Sequence, residues 1–288
     1  MPRVAIATAA DLPHLDEDGP LLLAALSRIG VEGVPAVWDD ESVDWGSFDC
    51  VAIRSTWDYA PRRDAFVAWA HRVEAQTRVL NPARVIEWNT DKRYLGALGA
   101  SGIATVPTNF VAPGQPVELP ADGEFVVKPT VSAGSRDTAR YDPSERERAF
   151  AHVAALHAAG RTAMVQPYLE AVDVAGETAL LFIGGTYSHA IRKGPLLLPG
   201  EGFVEGLFAP EDITPREPSE AERALAERVL AVTPGGRDQL LYARVDLLPG
   251  TAGAPVLIEL ELTEPSMFLE HDDGAADRLA AAIAGVAG

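Results

Sequence analysis

The sequence predicts an α/β protein that opens on a small parallel sheet and continues into antiparallel α+β structure. Residues 1 to about 83 alternate short apolar runs with helix-spaced segments, the rhythm of strand–helix–strand units. Beyond them come a Gly-Gly hairpin, capped helices and two long strands. A third observation concerns charge. Lys128 ends an apolar run, and Arg244, Asp246, Glu259 and Glu261 stand on strand patterns. Buried strands rarely carry charge without a partner, so these residues point to a site.

The elements follow in order. Val4–Ala7 reads as a strand, and Leu21–Ile29 as an apolar helix stopped by Gly30. Val34–Trp38 and Cys50–Arg54 are strands. Phe66, Trp69, Ala70 and Val73 recur at helical spacing, and Arg78–Asn81 is a short strand closed by Pro82. Asn89–Tyr94 opens a helix around Lys92. Thr108–Val111 leads into a Pro/Gly-rich loop. Strands are expected at Phe125–Lys128 and Ala163–Leu169. Between them lies a helix with a capping box at Ser144–Glu147 and a core face of Phe150, Val153 and Leu156. Thr178–Ile183 and Tyr187–Arg192 form the hairpin. Pro195–Pro218, rich in Pro, Gly and acid, reads as a long surface loop. Ser219–Glu222 caps a helix, Leu241–Leu248 and Val256–Leu262 finish a sheet, and a helix from about Gly274 to Ile283 follows.

Composition narrows the function. The chain has 288 residues, 47% of them hydrophobic, with a formal net charge of −18. Phosphate backbones demand a positive footprint, so nucleic acid is not an expected partner. No apolar run reaches membrane-spanning length, and the N-terminus reads as a first strand rather than a signal peptide. The acid stretch Asp11–Asp18 reads as solvated surface. Cys50 is the single cysteine; it cannot form an internal disulfide, which suits a reducing cytoplasm. The oligomeric state is left open, a homodimer included.

The chemistry-bearing residues fall into two sets. Lys92, Lys128, Arg192, Lys193 and Arg244 are cations on or beside strands. After Lys128, the small residues Ser132, Ala133, Gly134 and Ser135 let backbone N–H groups approach an anion, although an ordinary polar turn would look similar. Gln166-Pro167-Tyr168-Leu169 follows a strand and can run as an open hinge toward an adenine edge; a plain strand end is the alternative. Glu177, after Gly176, could accept from ribose hydroxyls. Asp246, Glu259 and Glu261 are the opposing set. Positions 259 and 261 share one strand face, and two carboxylates there repel unless a cation joins them. Cations early and carboxylates late suit a nucleotide triphosphate with Mg²⁺ between them. Arg54 closes an apolar strand where α/β sheets bind ligands, with Ser55, Thr56 and Asp58 beside it. A bidentate carboxylate contact is one reading of Arg54; a structural clasp with Asp58 is the other.

Taken in order, these pieces resemble the ATP-grasp superfamily, in its glutathione synthetase and RimK-like branch. The matching elements are Asn89-x-x-Lys92, Val-Val-Lys128-Pro129, the loop 132–135, Gln166–Leu169, Gly176-Glu177, Ala190-Ile-Arg192, Arg244-x-Asp246 and Glu259-x-Glu261. Many members have Asn where Glu261 stands. The resemblance implies a pre-ATP-grasp substrate domain over 1–84, a core subdomain from 85–122 and 195–288, and a central lid-and-hinge subdomain over 123–194. It implies ATP on the two lysines and the hinge, and two Mg²⁺ ions, replaceable by Mn²⁺, on Asp246, Glu259 and Glu261. Lys128, Arg192 and Arg244 would serve catalysis. The implied activity is carboxylate–amine ligation through an acylphosphate on a small amino-acid-like substrate. A narrower resemblance, carried by Arg54-Ser-Thr-Trp-Asp-Tyr59 and Glu264-Pro-Ser266, is to cyclo-ligases that close D-cycloserine from O-ureido-D-serine. It adds Arg192 and Ser266 to Arg54, Ser55, Thr56 and Asp58 as substrate contacts. An intermolecular ligase and a small-molecule kinase on the same frame remain alternatives.

Overall fold

The structure, a computed structural model, describes every residue except 135, 196, 198–211, 251–252 and 288. Its first layer is a parallel sheet of β1 (Arg3–Thr8), β2 (Glu32–Val37), β3 (Cys50–Ser55) and β4 (Arg78–Leu80), in the order β2-β1-β3-β4. Both faces are covered, as parallel sheets require. Val4 and Ile6 pack on Leu22 and Leu26 of α1 (Gly19–Arg28), while Ala5 and Ala7 face Phe66 and Trp69 of α2 (Arg63–Glu74). Pro20 pre-sets the first turn of α1, and Gly30 follows its end at φ +75°.

Two short helices, α3 (Ala83–Asn89) and α4 (Tyr94–Ala100), replace the single helix expected around Lys92. Lys92 lies in the link between them, its N–H donating to Thr130 O at 2.8 Å. A second sheet, antiparallel, comprises β5 (Asn109–Val111), β6 (Phe125–Pro129), β7 (Ala139–Tyr141) and β8 (Ala163–Pro167), ordered β5-β8-β6-β7. Helix α5 (Arg146–Ala158) covers it. The cap preceding α5 differs from the expected one. Asp142, not Ser144, accepts the N–H of Ser144 at 2.8 Å, and Glu145 reaches back to the N–H of Asp142. Pro143 fixes the first position, so the cap falls two residues earlier. Val153 and Leu156 are buried as expected, but Phe150 is exposed, with the Arg146 guanidinium over its ring.

After the short α6 (Val172–Ala175), a third sheet carries β9 (Glu177–Ile183), β10 (Thr186–Lys193), β11 (Ile213–Pro215), β12 (Tyr242–Pro249) and β13 (Pro255–Glu261), ordered β11-β10-β9-β12-β13. The β9–β10 turn has Gly184 and Gly185 at φ +56° and +73°, the left-handed pair a tight hairpin needs. Helix α7 (Glu220–Ala231) starts at the expected Ser219–Glu222 capping box. Helix α8 (Ala275–Ala287) shares one core with α1, the first sheet and the third, through Leu22, Leu181, Ile191, Leu279 and Ile283.

Sheet membership departs from the expected division. β9, assigned with β10 to 123–194, pairs with β12, and β10 pairs with β9, so both join the sheet of the C-terminal strands. β5, assigned to 85–122, pairs with β8 of the central sheet. The expected loop 195–218 lies mostly outside the described residues, but its end holds β11, paired with β10.

Candidate active site

The second and third sheets and the loops of the first enclose a cavity of about 910 Å³, at the upper end for ligand pockets. Its first wall carries the lysines. Lys128, next to last in β6, is buried there with Ser132; Ala133 and Gly134, which has φ +63°, also line the wall. The Lys92 ammonium donates to Ser132 O at 2.9 Å and lies 3.1 Å from Glu259. Lys128 is held below the usual lysine range, first by burial and then by Lys92 and Lys193, with Glu259 opposing. An anion among these three ammonium groups would remove that repulsion. Ser135 lies outside the described residues.

The hinge residues Gln166, Pro167, Tyr168 and Leu169 line the next part of the wall, with Val126, Leu248 and Ile258. Gln166 donates to Thr108 Oγ1 at 2.9 Å, and the Tyr168 N–H is taken by Glu124 O at 2.8 Å. A planar aromatic base suits this apolar strip.

Glu177 also lines the cavity, but its carboxylate pairs with Lys193. Burial foremost, then the charge of Asp246, push its pKa up to about 8 against the pull of Lys193. Lys193, which the sequence places in the basic set without a role, lines the cavity. Arg192 stands outside the cavity, donating to Ala175 O at 3.1 Å and to Asp212 at 3.1 Å. Side chains alternate along a strand, so its neighbour Lys193 takes the inner face. Parity with Glu177, its partner across β9 and β10, was the available signal.

The three acids are brought together on adjoining strands, Asp246 opposite Glu259 and Arg244 opposite Glu261. Among the described residues, no group of three such donors is gathered closely enough to hold a metal ion. Each acid faces a cation instead. Asp246, 1% exposed, accepts from Lys193 at 2.7 Å and from Arg244 at 2.9 Å. It lies behind the cavity wall, where burial would raise its pKa but Arg244 and Lys193 hold it far below the usual range. Glu261 pairs with Arg244, and Glu259 with Lys92. Both glutamates line the cavity. Burial, with Glu259 and Asp246 adding to it, pushes Glu261 up to about 7 against Arg244. Two crowded carboxylates of this kind fit a hard divalent cation.

The substrate end departs most from expectation. Arg54, 1% exposed, does not line the cavity. It donates to Asp18 at 3.1 Å and lies 3.6 Å from Asp16. Asp58 is not its partner; Asp58 accepts from Trp38 Nε1 at 2.8 Å and pairs with Arg62. Ser55 and Thr56 are buried outside the cavity wall, Ser55 Oγ accepting the Asp16 N–H at 3.0 Å. Trp57 and Tyr59 line the cavity instead. Asp16 and Asp18, expected as solvated surface, form part of its wall. Ser266 is placed there as expected, its carbonyl accepting from Arg244 at 3.3 Å. Glu264, whose carbonyl accepts from Trp57 Nε1 at 2.9 Å, has a carboxyl pushed up to about 8 by burial and then by Glu261.

This geometry agrees with the comparisons. Residues 4–81 match the model of the D-cycloserine synthetase DcsG N-terminal domain. The cycloserine biosynthesis protein DcsG of Streptomyces lavendulae is 40% identical over 292 residues, covering 97% of this chain and 96% of that protein. A crystal structure of D-cycloserine synthetase DcsG superposes with a TM-score of 0.90 at 38% identity, covering 99% of this chain and 100% of the other. The ATP complex of the D-alanine–D-alanine ligase from Bacillus anthracis gives a TM-score of 0.68 at 14% identity, covering 100% and 97%. Fold and site together define an ATP-dependent ligase with the ATP-grasp architecture. Within that class, the chain belongs to the DcsG family.

Proposed function

We propose that this ligase closes a ring within one substrate molecule, forming D-cycloserine from O-ureido-D-serine. The observation that carries this reading is the charge of the cavity wall. Its described cations are Lys92, Lys128, Lys193 and Arg244, and three of these stand on the phosphate side. Arg244 alone lies beside Ser266 and Phe268, at an end otherwise bounded by Asp16, Glu17, Glu264 and Glu270. A ligase joining two amino acids must accommodate a second carboxylate there. A wall of acids opposes one and suits a substrate with one carboxylate, an ammonium group and neutral urea N–H donors.

In this scheme the carboxylate oxygen attacks the γ-phosphorus of ATP and ADP leaves. The ureido nitrogen next to the chain oxygen then attacks the acyl carbon, and the C–O bond to phosphate breaks as the ring closes. The product lacks the carbamoyl group, so one water must cleave its C–N bond to the ring nitrogen, releasing carbamic acid, which breaks down to CO₂ and ammonia. Lys92, Lys128 and Lys193 neutralise the phosphates, and Arg244 the acyl group, by positioning and charge rather than by covalent chemistry. Glu259 and Glu261 would hold Mg²⁺, which would supply positive charge against the phosphates of ATP. Asp246 could join a second ion only by releasing Lys193 and Arg244.

An ADP-release screen over amino acids and ureido amino acids, with products read by mass, tests the proposal. O-ureido-D-serine alone should support ADP release and yield the ring. A stable phosphorylated product would indicate a kinase, and a requirement for a second amine an intermolecular ligase.

A further inference from the structure

We propose that Asp16 anchors the α-ammonium group of the substrate, with Arg54 and Asp18 as its buried support. The proposal rests on the amino-acid substrate argued above, and it reassigns the place where the sequence suggested a carboxylate contact. Asp18 has no capacity to spare. Its Oδ2 accepts from Arg54 at 3.1 Å and from the Met267 N–H at 2.7 Å, and its Oδ1 accepts from the Leu269 N–H at 2.7 Å. These bonds tie the loop after β1 to the loop after β13, both of which wall the cavity. Asp16 is different. Its side chain is 6% exposed, its Oδ2 lies 3.6 Å from Arg54, and its Oδ1 is out of solvent with no hydrogen-bond partner among the described residues.

Charge gives the same answer. One guanidinium faces two carboxylates, so the cluster carries an excess negative charge in a site of low exposure. A buried carboxylate without full compensation is costly, and a cation settles it. The neighbouring wall residues Glu17 and Glu270 add the same sign. Arg54 cannot offer itself to a ligand carboxylate, because it stays behind the wall that Asp16 and Asp18 form. Burial, the leading influence, also raises the pKa of the Asp16 carboxyl, the state expected of a site that a cation completes. A primary ammonium fits both the charge and the unused acceptor.

The test compares O-ureido-D-serine with its des-amino analogue, 3-(ureidooxy)propanoate, in wild-type enzyme and in Asp16→Asn, by ADP release. In wild type, loss of the amine should raise KM on the order of ten- to a hundredfold, the weight of one charge-assisted hydrogen bond. Asp16→Asn should raise the KM of the amino acid by a similar factor. It should leave the KM values of the analogue and of ATP within about twofold. Equal penalties on the amino acid and its analogue in Asp16→Asn overturn the proposal, as does a wild type that does not discriminate between them. The wild-type comparison decides even if the variant does not fold. A wild type that spends no ATP on O-ureido-D-serine defeats the ring-closing reading instead. The same comparison on whichever amino acid supports ADP release, against its des-amino counterpart, then judges Asp16.

Discussion

Replacing Arg54 by Met should destabilise the enzyme strongly, although Arg54 touches no part of the cavity. The two side chains are similar in length, so the change removes charge more than volume. Asp16 and Asp18, with side chains 6% and 8% exposed, would then face each other without a counter-charge. Breaking a buried pair by removing one partner costs about 3–5 kcal/mol. At roughly 2–4 °C per kcal/mol for a large domain, the melting temperature should fall by roughly 6–20 °C near neutral pH. The pH dependence has a definite sign. Burial already raises Asp16 above its ordinary value, and loss of Arg54 raises it further. A carboxyl raised in the folded state costs nothing while protonated in both states, and its penalty grows as pH rises above the unfolded value of about 3.9. The gap between wild type and variant should therefore be widest near pH 7 and narrow toward pH 4. Melting curves across that range check both points. An unchanged melting temperature at pH 7, or a gap that widens on acidification, refutes the clasp. The carboxylate-contact reading of Arg54 would instead leave stability intact and raise only the KM of the acid.

Lys128→Ala should weaken ATP binding on the order of tenfold to a hundredfold and change the KM of the acid far less, measured by calorimetry and steady-state kinetics. Glu259→Gln and Glu261→Gln should nearly abolish ADP release with little loss of melting temperature; wild-type turnover at saturating Mg²⁺ would remove these residues from the metal site. Asp246→Asn should act differently and lower the melting temperature too, because it removes the negative charge that the buried Lys193 and Arg244 share. Gly176→Ala should lower stability and ATP affinity together. Gly176 has φ +70°, and a Cβ there would lie 2.6 Å from Lys193 O, on the strand that carries the inner lysine.

The half of the cavity proposed for the nucleotide was legible because local pattern specifies it. A lysine at the end of an apolar strand, a loop of small residues and a proline-marked hinge each announce themselves within a few positions, and all three reach one cavity. The substrate half was not, because distant contacts create it. Asp16 and Asp18 look like solvated acid until the chain returns some 250 residues later and Met267 and Leu269 donate to Asp18. Arg192 was chosen over Lys193 because strand parity cannot be set without knowing which face is inside. Thr56 and Asp58 were favoured over Trp57 and Tyr59 because these four follow β3 in a turn, where local pattern does not set side-chain direction. In the fold, each local strand signal was readable, but the partner of β5 and the sheet that claims β9 and β10 depend on pairings that local sequence does not encode.

The central claim is that the substrate's own carboxylate is activated by phosphoryl transfer and then captured within the same molecule. It is tested most directly with O-ureido-D-serine labelled with ¹⁸O in both carboxylate oxygens, ATP, Mg²⁺ and no other amine. The account predicts that each ring formed retains one ¹⁸O in its carbonyl and passes the other to the released phosphate, with one ADP per ring. Phosphate free of ¹⁸O, or ADP release that requires a second amine, would contradict it.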